Sequence, residues 1–311
     1  MKIREIASGL QFPEGPIALD DGSVLLVEIA RGTLSRVSPD GKIKVVCETG
    51  GGPNGAAFGP DGAVYVCNNG GFNWNRTTEG LTFPIGQADD YSGGRIERIN
   101  LNTGRSERVY DKVQTRQGER GLRGPNDLVF DANGGFWFTD LGKTRPREMD
   151  RGGLYYARAD GSLIREVAQP VLTPNGVGLS PDGKTVYFAE TEGARLWGFE
   201  IQAAGEVTKL PFPSPHGGRF LGQARTGFQR FDSMAVDADG NILVATLMNG
   251  GITTFSPDGR DVQFVPLPDL MVTNLCFGGK GLRTLFVTFS AKGCLIAIDQ
   301  WPVAGHRLHY Q

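Results

Sequence analysis

Six residues sit at the same place in a repeated phrase, and each carries a side-chain oxygen. They are Glu14 in "FPEGPIALDDG", Asn54 in "PNGAAFGPDG", Asn126 in "PNDLVFDANG", Asn175 in "PNGVGLSPDG", Asp232 in "FDSMAVDADG", and Thr273. Each lies eight residues before a turn glycine: Gly22, Gly62, Gly134, Gly183, Gly240 and Gly281. Asn and Asp often open strands because their side chains imitate turn backbone. Glutamate has no such habit, and a carboxylate at the head of an apolar run is costly unless something pairs with it. Two carboxylates among neutral amide carbonyls, with no His or Cys, make a hard oxygen set. It suits Ca2+, Mg2+ or Mn2+ better than a structural zinc. An ion in such a set can polarise a carbonyl and acidify a bound water.

These residues can act together only if the chain brings them to one point. The runs that follow them, from "IALDDGSVLLVE" to "LCFGGKGLRTLFVTF", are pairs of short strands around a glycine turn, and there are six. A D-G or N-G type pair supplies the positive φ of a tight hairpin. A second hairpin follows each, among them "GTLSRVSPDGKIKVV", "GGLYYARADGSLIREV" and, in the fourth unit, "ARLWGFEIQAAGEVTKL". Two hairpins make a four-stranded antiparallel blade, and six blades predict an all-β, six-bladed β-propeller. The sixth unit is one outer strand short, and the N-terminal "KIREIA" is predicted to close it. Residues 1–311 are therefore read as one domain, with the first strand of each blade lining a central channel and the six oxygen-bearing positions at one mouth.

Composition narrows the function classes. A net charge of −2 and a high glycine count (46 in 311 residues) suit short strands and give no footprint for nucleic acid or an anionic membrane. No stretch has the roughly 18 apolar residues of a membrane helix, and "MKIREIASGL" lacks the apolar core of a signal peptide. The expected protein is a cytoplasmic monomer. Cys47, Cys67, Cys276 and Cys294 show no C-x-x-C spacing and read as buried free thiols. His216, His306 and His309 lie off the ring and no G-x-S-x-G elbow occurs, so a Ser-His-Asp hydrolase is not expected.

The phrases "FPEGP", "GPNDLVFDANGGFWFTD", "TPNGVGLSPDGKTVYFAET", "DSMAVDADGNILVA" and "NLCFGGKGLRTLFVT" resemble the gluconolactonase, regucalcin and senescence-marker-protein family of six-bladed propellers. That family is related to hydrolases of the diisopropylfluorophosphatase type. The resemblance covers essentially the whole chain. It implies one divalent cation, calcium first, with magnesium, manganese or zinc as other candidates, held by Glu14, Asn175 and Asp232. Asn126 is implied as a further ligand or a substrate contact; Asn54, from the repeat, and Arg123, which lies only near the position of the family's Arg, are further candidate substrate contacts. The implied activity is metal-dependent opening of a small lactone, with Asp232, or water it orients, supplying the nucleophile and Asp127 the alternative base. Hydrolysis of organophosphates or other activated esters, and calcium binding without catalysis, remain as other readings. The family's Arg two residues before the third-blade Asn and Gly two residues after it are here Gly124 and Leu128, and its P-D-G is here "FDS" at Phe231 to Ser233.

Long connections are expected to return to the mouth. The stretch from Asn68 to Gly93 brings Phe72, Trp74, Phe83 and Tyr91, a candidate apolar wall. Arg116, Arg120, Arg123, Arg219, Arg225 and Arg230 are candidate contacts for a carboxylate.

Overall fold

The computed structural model describes residues 2–224 and 227–311. They form six antiparallel sheets around a common axis, a six-bladed β-propeller. The innermost strands are Pro13–Ala18, Pro53–Phe58, Pro125–Phe130, Pro174–Leu179, Arg230–Val236 and Val272–Gly278. Each packs between the inner strands of its two neighbours, and the first packs on the last, so the circle is closed.

The closure is made as the sequence predicts. Lys2–Ala7 adds as the outermost strand of blade 6, antiparallel to Cys294–Asp299. The Arg4 guanidinium clamps Asp299 through two hydrogen bonds of 2.6 and 3.0 Å. Both chain ends thus belong to one blade, and the ring opens only if this ladder is broken.

The apolar runs explain the stacking. Successive side chains on a strand point to opposite faces, and in a propeller both faces of a blade meet another blade. In Gly135–Asp140, Phe136 and Phe138 pack toward blade 2 with Tyr65, whereas Trp137 packs toward blade 4 with Phe188. In Val24–Glu28, Val24 and Leu26 join the layer shared with blade 6, and Leu25 and Val27 the layer shared with blade 2. One such apolar layer lies in each of the six inter-blade gaps. Truncating a buried Phe there costs about 3–5 kcal/mol.

Blade 4 departs from expectation. The segment "EVTKL" was expected as its outer strand, but only Glu206–Val207 pairs there. The rest of the edge is made by Arg219–Gln223, which pairs with Arg195–Gly198. Outer strands are half-exposed and carry a weak apolar pattern, so the sequence does not mark which of two nearby segments takes the edge. Arg219–Gln223 is therefore part of the blade and not of a connection. The four cysteines are buried and free.

Deleting residues 1–8 should cost far more stability than Arg4→Ala, which removes only a partly exposed ion pair worth about 0–1 kcal/mol. Thermal unfolding of the two variants checks this. Equal melting temperatures would mean that the terminal strand does not close the ring.

Candidate metal centre and active site

Every inner strand has its register broken beside its ring residue, between Glu14 and Ile17, Pro53 and Ala56, Pro125 and Leu128, Pro174 and Val177, Phe231 and Met234, and Val272 and Asn274. A bulge re-aims the side chain next to it. Here it turns the ring residues to the axis, and the glycine after two of the asparagines lets neighbouring strands close in. A Cβ on Gly55 would lie 2.6 Å from the Asn126 carbonyl oxygen, and one on Gly176 would lie 2.7 Å from that of Asp232. "P-N-G" is thus one residue that faces the axis followed by one that must have no side chain.

All six ring positions are buried polar groups at the heads of the inner strands: the Asn175 side chain hydrogen-bonds Asp232, Asp232 feels the charge of Glu14, and Thr273 hydrogen-bonds Glu14. Glu14 is 2% exposed and Asp232 7%, and Asn54, Asn126 and Asn175 are equally buried. The two carboxylates feel each other's charge, and both feel Asp127. Burial is the largest cause of each shift: it pushes Glu14 up to about 8 and Asp232 well above the carboxylate range, and Glu14's charge adds to the rise at Asp232. Glu14 Oε2 accepts hydrogen bonds from Gly15 N at 2.8 Å and Asn274 Nδ2 at 2.7 Å, which offset part of the cost.

The amide oxygens are the telling atoms. Oδ1 of Asn54, Asn126 and Asn175 is buried and accepts no hydrogen bond. Asn175 Nδ2 donates to Thr191 Oγ1 at 3.0 Å, and the Asn175 side chain also hydrogen-bonds the Asp232 carboxyl. A buried acceptor left without a donor costs roughly 1–3 kcal/mol. Three of them beside two mutually repelling carboxylates form a set that a cation would satisfy and that protein donors do not. No group of three His, Cys, Asp or Glu with metal-binding spacing exists among the described residues. Glu14 and Asp232 with the asparagine amides are a mixed carboxylate and amide oxygen set, the kind that hard cations take.

Thr273 is tied to the ring through Glu14, whose carboxyl its side chain hydrogen-bonds. Its hydroxyl also joins Thr288 Oγ1, Ser290 Oγ and the Pro13 carbonyl in a buried cluster that ties blade 6 to blade 1. Asn274, the next residue, supplies a second polar contact to Glu14.

Asp127, the alternative base of the sequence reading, is buried, and burial pushes its carboxyl up to about 7. Its Oδ1 accepts Leu128 N at 2.9 Å. It lines the channel beyond the ring, on the side away from the mouth, where a cavity of about 620 Å3 is walled by Ile17, Leu128, Val177, Met234 and Leu275. Leu128, one of the family departures, is part of that wall. The C-terminal tail closes the far end: Gln311 Nε2 donates to the Ala18 carbonyl, Tyr310 packs on Phe130, and His306 and His309 lie there. His216 is caged by Trp197, Phe188 and Phe199, and burial pushes it down to about 4.

A second tier of residues holds the strand that leads into each ring position. Glu28 accepts Gln11 N at 2.8 Å and Asn68 accepts Gly52 N at 2.9 Å. Asp140 accepts Arg123 N and Gly124 N, both at 2.7 Å, and Glu190 accepts Leu172 N at 3.3 Å. These side chains end the second strands of blades 1 to 4, opposite Pro13, Pro53, Pro125 and Pro174. Sequence reasoning missed them, although the signal was there: a polar residue closes "VLLVE", "VYVCN", "GFWFTD" and "TVYFAE", fourteen or fifteen residues after the ring position.

The long blade-2 connection is itself a hairpin, Phe72–Arg76 paired with Thr82–Gln87. It leans from blade 2 over blade 1 to blade 6. Trp74 packs on Phe12 with ring centres 4.9 Å apart, Arg76 reaches Gln11, and Thr82 N donates to the Ala291 carbonyl at 3.0 Å. Phe72, Trp74 and Phe83 pack on an apolar cluster of Phe12, Ile29, Met271 and Ala291, all at the mouth. Tyr91 donates to the Arg123 carbonyl at 2.7 Å. Arg123 itself is exposed, as are Arg116, Arg120 and Arg219; Arg230 pairs with Glu192 at 3.0 Å; Arg225 lies outside the described residues.

Comparison with known proteins agrees with this architecture. Residues 12–291 match the family described as SMP-30/Gluconolactonase/LRE-like region. A gluconolactonase of Zymomonas mobilis is 28% identical, over 93% of this chain and 79% of its own length. The lactonase drp35 of Staphylococcus saprophyticus is 31% identical, over 84% and 71%. A solved gluconolactonase from Xanthomonas campestris superposes with a TM-score of 0.72 at 20% identity, covering 96% of this chain and 89% of that one. The chain belongs to the SMP-30/gluconolactonase/LRE-like family.

The ring makes a pH prediction for the cation-free protein. Glu14 rises from an ordinary value near 4.5 to about 8 and Asp127 from 3.8 to about 7. The unfolded chain loses these protons first, so their contribution to stability is complete below about pH 4 and is lost as pH rises through 7 to 8. The melting temperature of chelator-treated protein should fall between pH 5.5 and 8.5, and added Ca2+ should flatten that slope. A slope unaffected by any divalent cation would contradict the ring as a cation site.

Proposed function

We propose that this protein is a divalent-cation-dependent hydrolase that opens a small lactone at the mouth of the propeller, acting as a cytoplasmic monomer with residues 1–311 as one domain. The observation that carries the proposal is the convergence of three unpaired amide oxygens, of Asn54, Asn126 and Asn175, with the Glu14 and Asp232 carboxylates. Glu14, Asn175 and Asp232, with Asn126, would hold the ion, and calcium suits this oxygen set best. When bound, the ion supplies Lewis acidity toward a carbonyl oxygen and acidifies water. Similarity to proteins named gluconolactonase and lactonase supports a lactone substrate, of a sugar acid or a related acid.

The chain's own residues have three tasks. Glu14, held by Gly15 N and Asn274, and Asn175, held by Thr191, keep their oxygens on the axis without rearrangement during reaction. Asn54 and Asn126 orient the substrate, and Arg123 stands at the outer rim. Asp232 takes the proton from the attacking water. Asp127 has the more suitable pKa for a base, near neutrality, but it lines the channel beyond the ring, which supports Asp232 over it. No covalent nucleophile is needed, because the ester of a lactone is already activated.

Asp232→Asn keeps the shape and one ligand oxygen but removes the charge and the base. At saturating cation, kcat on lactones should fall by roughly 10² or more, the scale of lost general-base assistance. A pH-stat assay over a lactone panel, with stripped and reconstituted protein, measures this. Full recovery of kcat at high cation concentration would take the base role from Asp232, and turnover unaffected by stripping would refute the proposal.

A further inference from the structure

Lys143 is the least expected charge in the molecule. It follows the second strand of blade 3, is 2% exposed, and forms no ion pair among the described residues. Its amino group reaches across to blade 2, where Nζ donates to the Gly71 carbonyl at 2.8 Å and to Asn69 Oδ1 at 3.3 Å. It also lies 4.3 Å from the centre of the Phe72 ring and 5.3 Å from that of Tyr91. All four partners belong to the two ends of the segment that carries the 72–87 hairpin. A two-stranded hairpin is marginal alone in water, so its seat over the mouth depends on contacts at its tip, with Phe12 and Ala291, and at this root.

We propose that Lys143 is a positioning residue, the latch that seats the 72–87 hairpin across the mouth of the ring. Its consequence for substrate entry rests on the reading of the ring as the active site. The latch itself does not.

The chemistry of the cage makes the latch sensitive to pH. Burial pushes Lys143 down to about 7, against the charges of Asp140 and Asp150, which pull it up. The other groups around it are committed: Asp140 accepts three backbone N–H groups, Asp150 accepts Lys143 N and is paired with Arg145 at 2.8 Å, and the Tyr91 hydroxyl is on Arg123. When the hairpin lifts, Lys143 returns to water and to an ordinary value near 10.4. Between about pH 7 and 10, opening therefore takes up one proton, and each unit of falling pH raises the opening constant by up to about tenfold.

Hydrogen exchange on the full-length protein, corrected for intrinsic rates and compared at pH 7.5 and 9, tests this without any assay of turnover. In the wild type, protection of residues 72–76 and 82–87 should be about tenfold or more higher at pH 9, while amides of Val24–Glu28 in blade 1 stay unchanged. Lys143→Met should abolish that difference. Phe72→Leu, which loosens the cage from the hairpin side and leaves the lysine, should lower hairpin protection several-fold at pH 9. An unchanged pH difference in Lys143→Met, or hairpin protection unchanged by Phe72→Leu, would overturn the latch, and lactone turnover has no bearing on either result.

Discussion

Like charges and unpaired acceptors repel, and a protein that buries several at one point must hold them there by force of its scaffold. Here the point is the axis of a ring, where Glu14 and Asp232 face one another among three asparagine oxygens that no donor satisfies. The hydrogen bonds that Glu14 accepts from Gly15 N and Asn274 offset only part of the cost of that arrangement. It persists because the six inner strands are clamped on both sides by apolar layers, and because the circle is closed covalently everywhere except in blade 6, where Lys2–Ala7 completes it. The cost accepted at the centre is met by burial in the gaps between blades, where residues such as Phe136, Trp137 and Phe188 are wholly enclosed.

The same logic runs outward from the axis. Bulges aim the ring side chains, glycines after two of them let the strands approach, and the carboxylates or amide of Glu28, Asn68, Asp140 and Glu190 fix the backbone that leads in. Beyond these, the hairpin of residues 72–87 and the C-terminal tail cover the two ends of the channel. Preorganisation of this kind lets charge develop at a reacting centre without protein rearrangement.

Much of this was legible in sequence because it is periodic. A constant eight-residue offset between a polar residue and a turn glycine is a geometric statement about a hairpin, so repeating it six times specified the blades and selected Glu14, Asn54, Asn126, Asn175 and Asp232 together. The missing strand of the sixth unit pointed to the N-terminus for the same reason. What escaped was whatever depends on non-local packing. Thr273 fits the offset and meets Glu14, but its further bonds to Thr288 and Ser290 are set by how blade 6 packs on blade 1. Asp127 could be named as an alternative base, but its place beyond the ring and the burial that brings its carboxyl near neutrality belong to the folded packing. The outer edge of blade 4 was misplaced, because edge strands carry little apolar pattern. Lys143 gave no signal at all, since a lone lysine in a polar loop looks solvated until the aromatics of another blade are seen around it.

On the proposed reading, the mouth of the channel is a single cation site built from carboxylate and amide oxygens. Diffraction from crystals grown with saturating Ca2+, with the anomalous signal used to place the ion, addresses it most directly. The expected result is one ion on the axis with oxygens of Glu14, Asn175 and Asp232 at about 2.3–2.6 Å. An ion elsewhere in the molecule, or an empty axis with the asparagine amides turned to other donors, would contradict it.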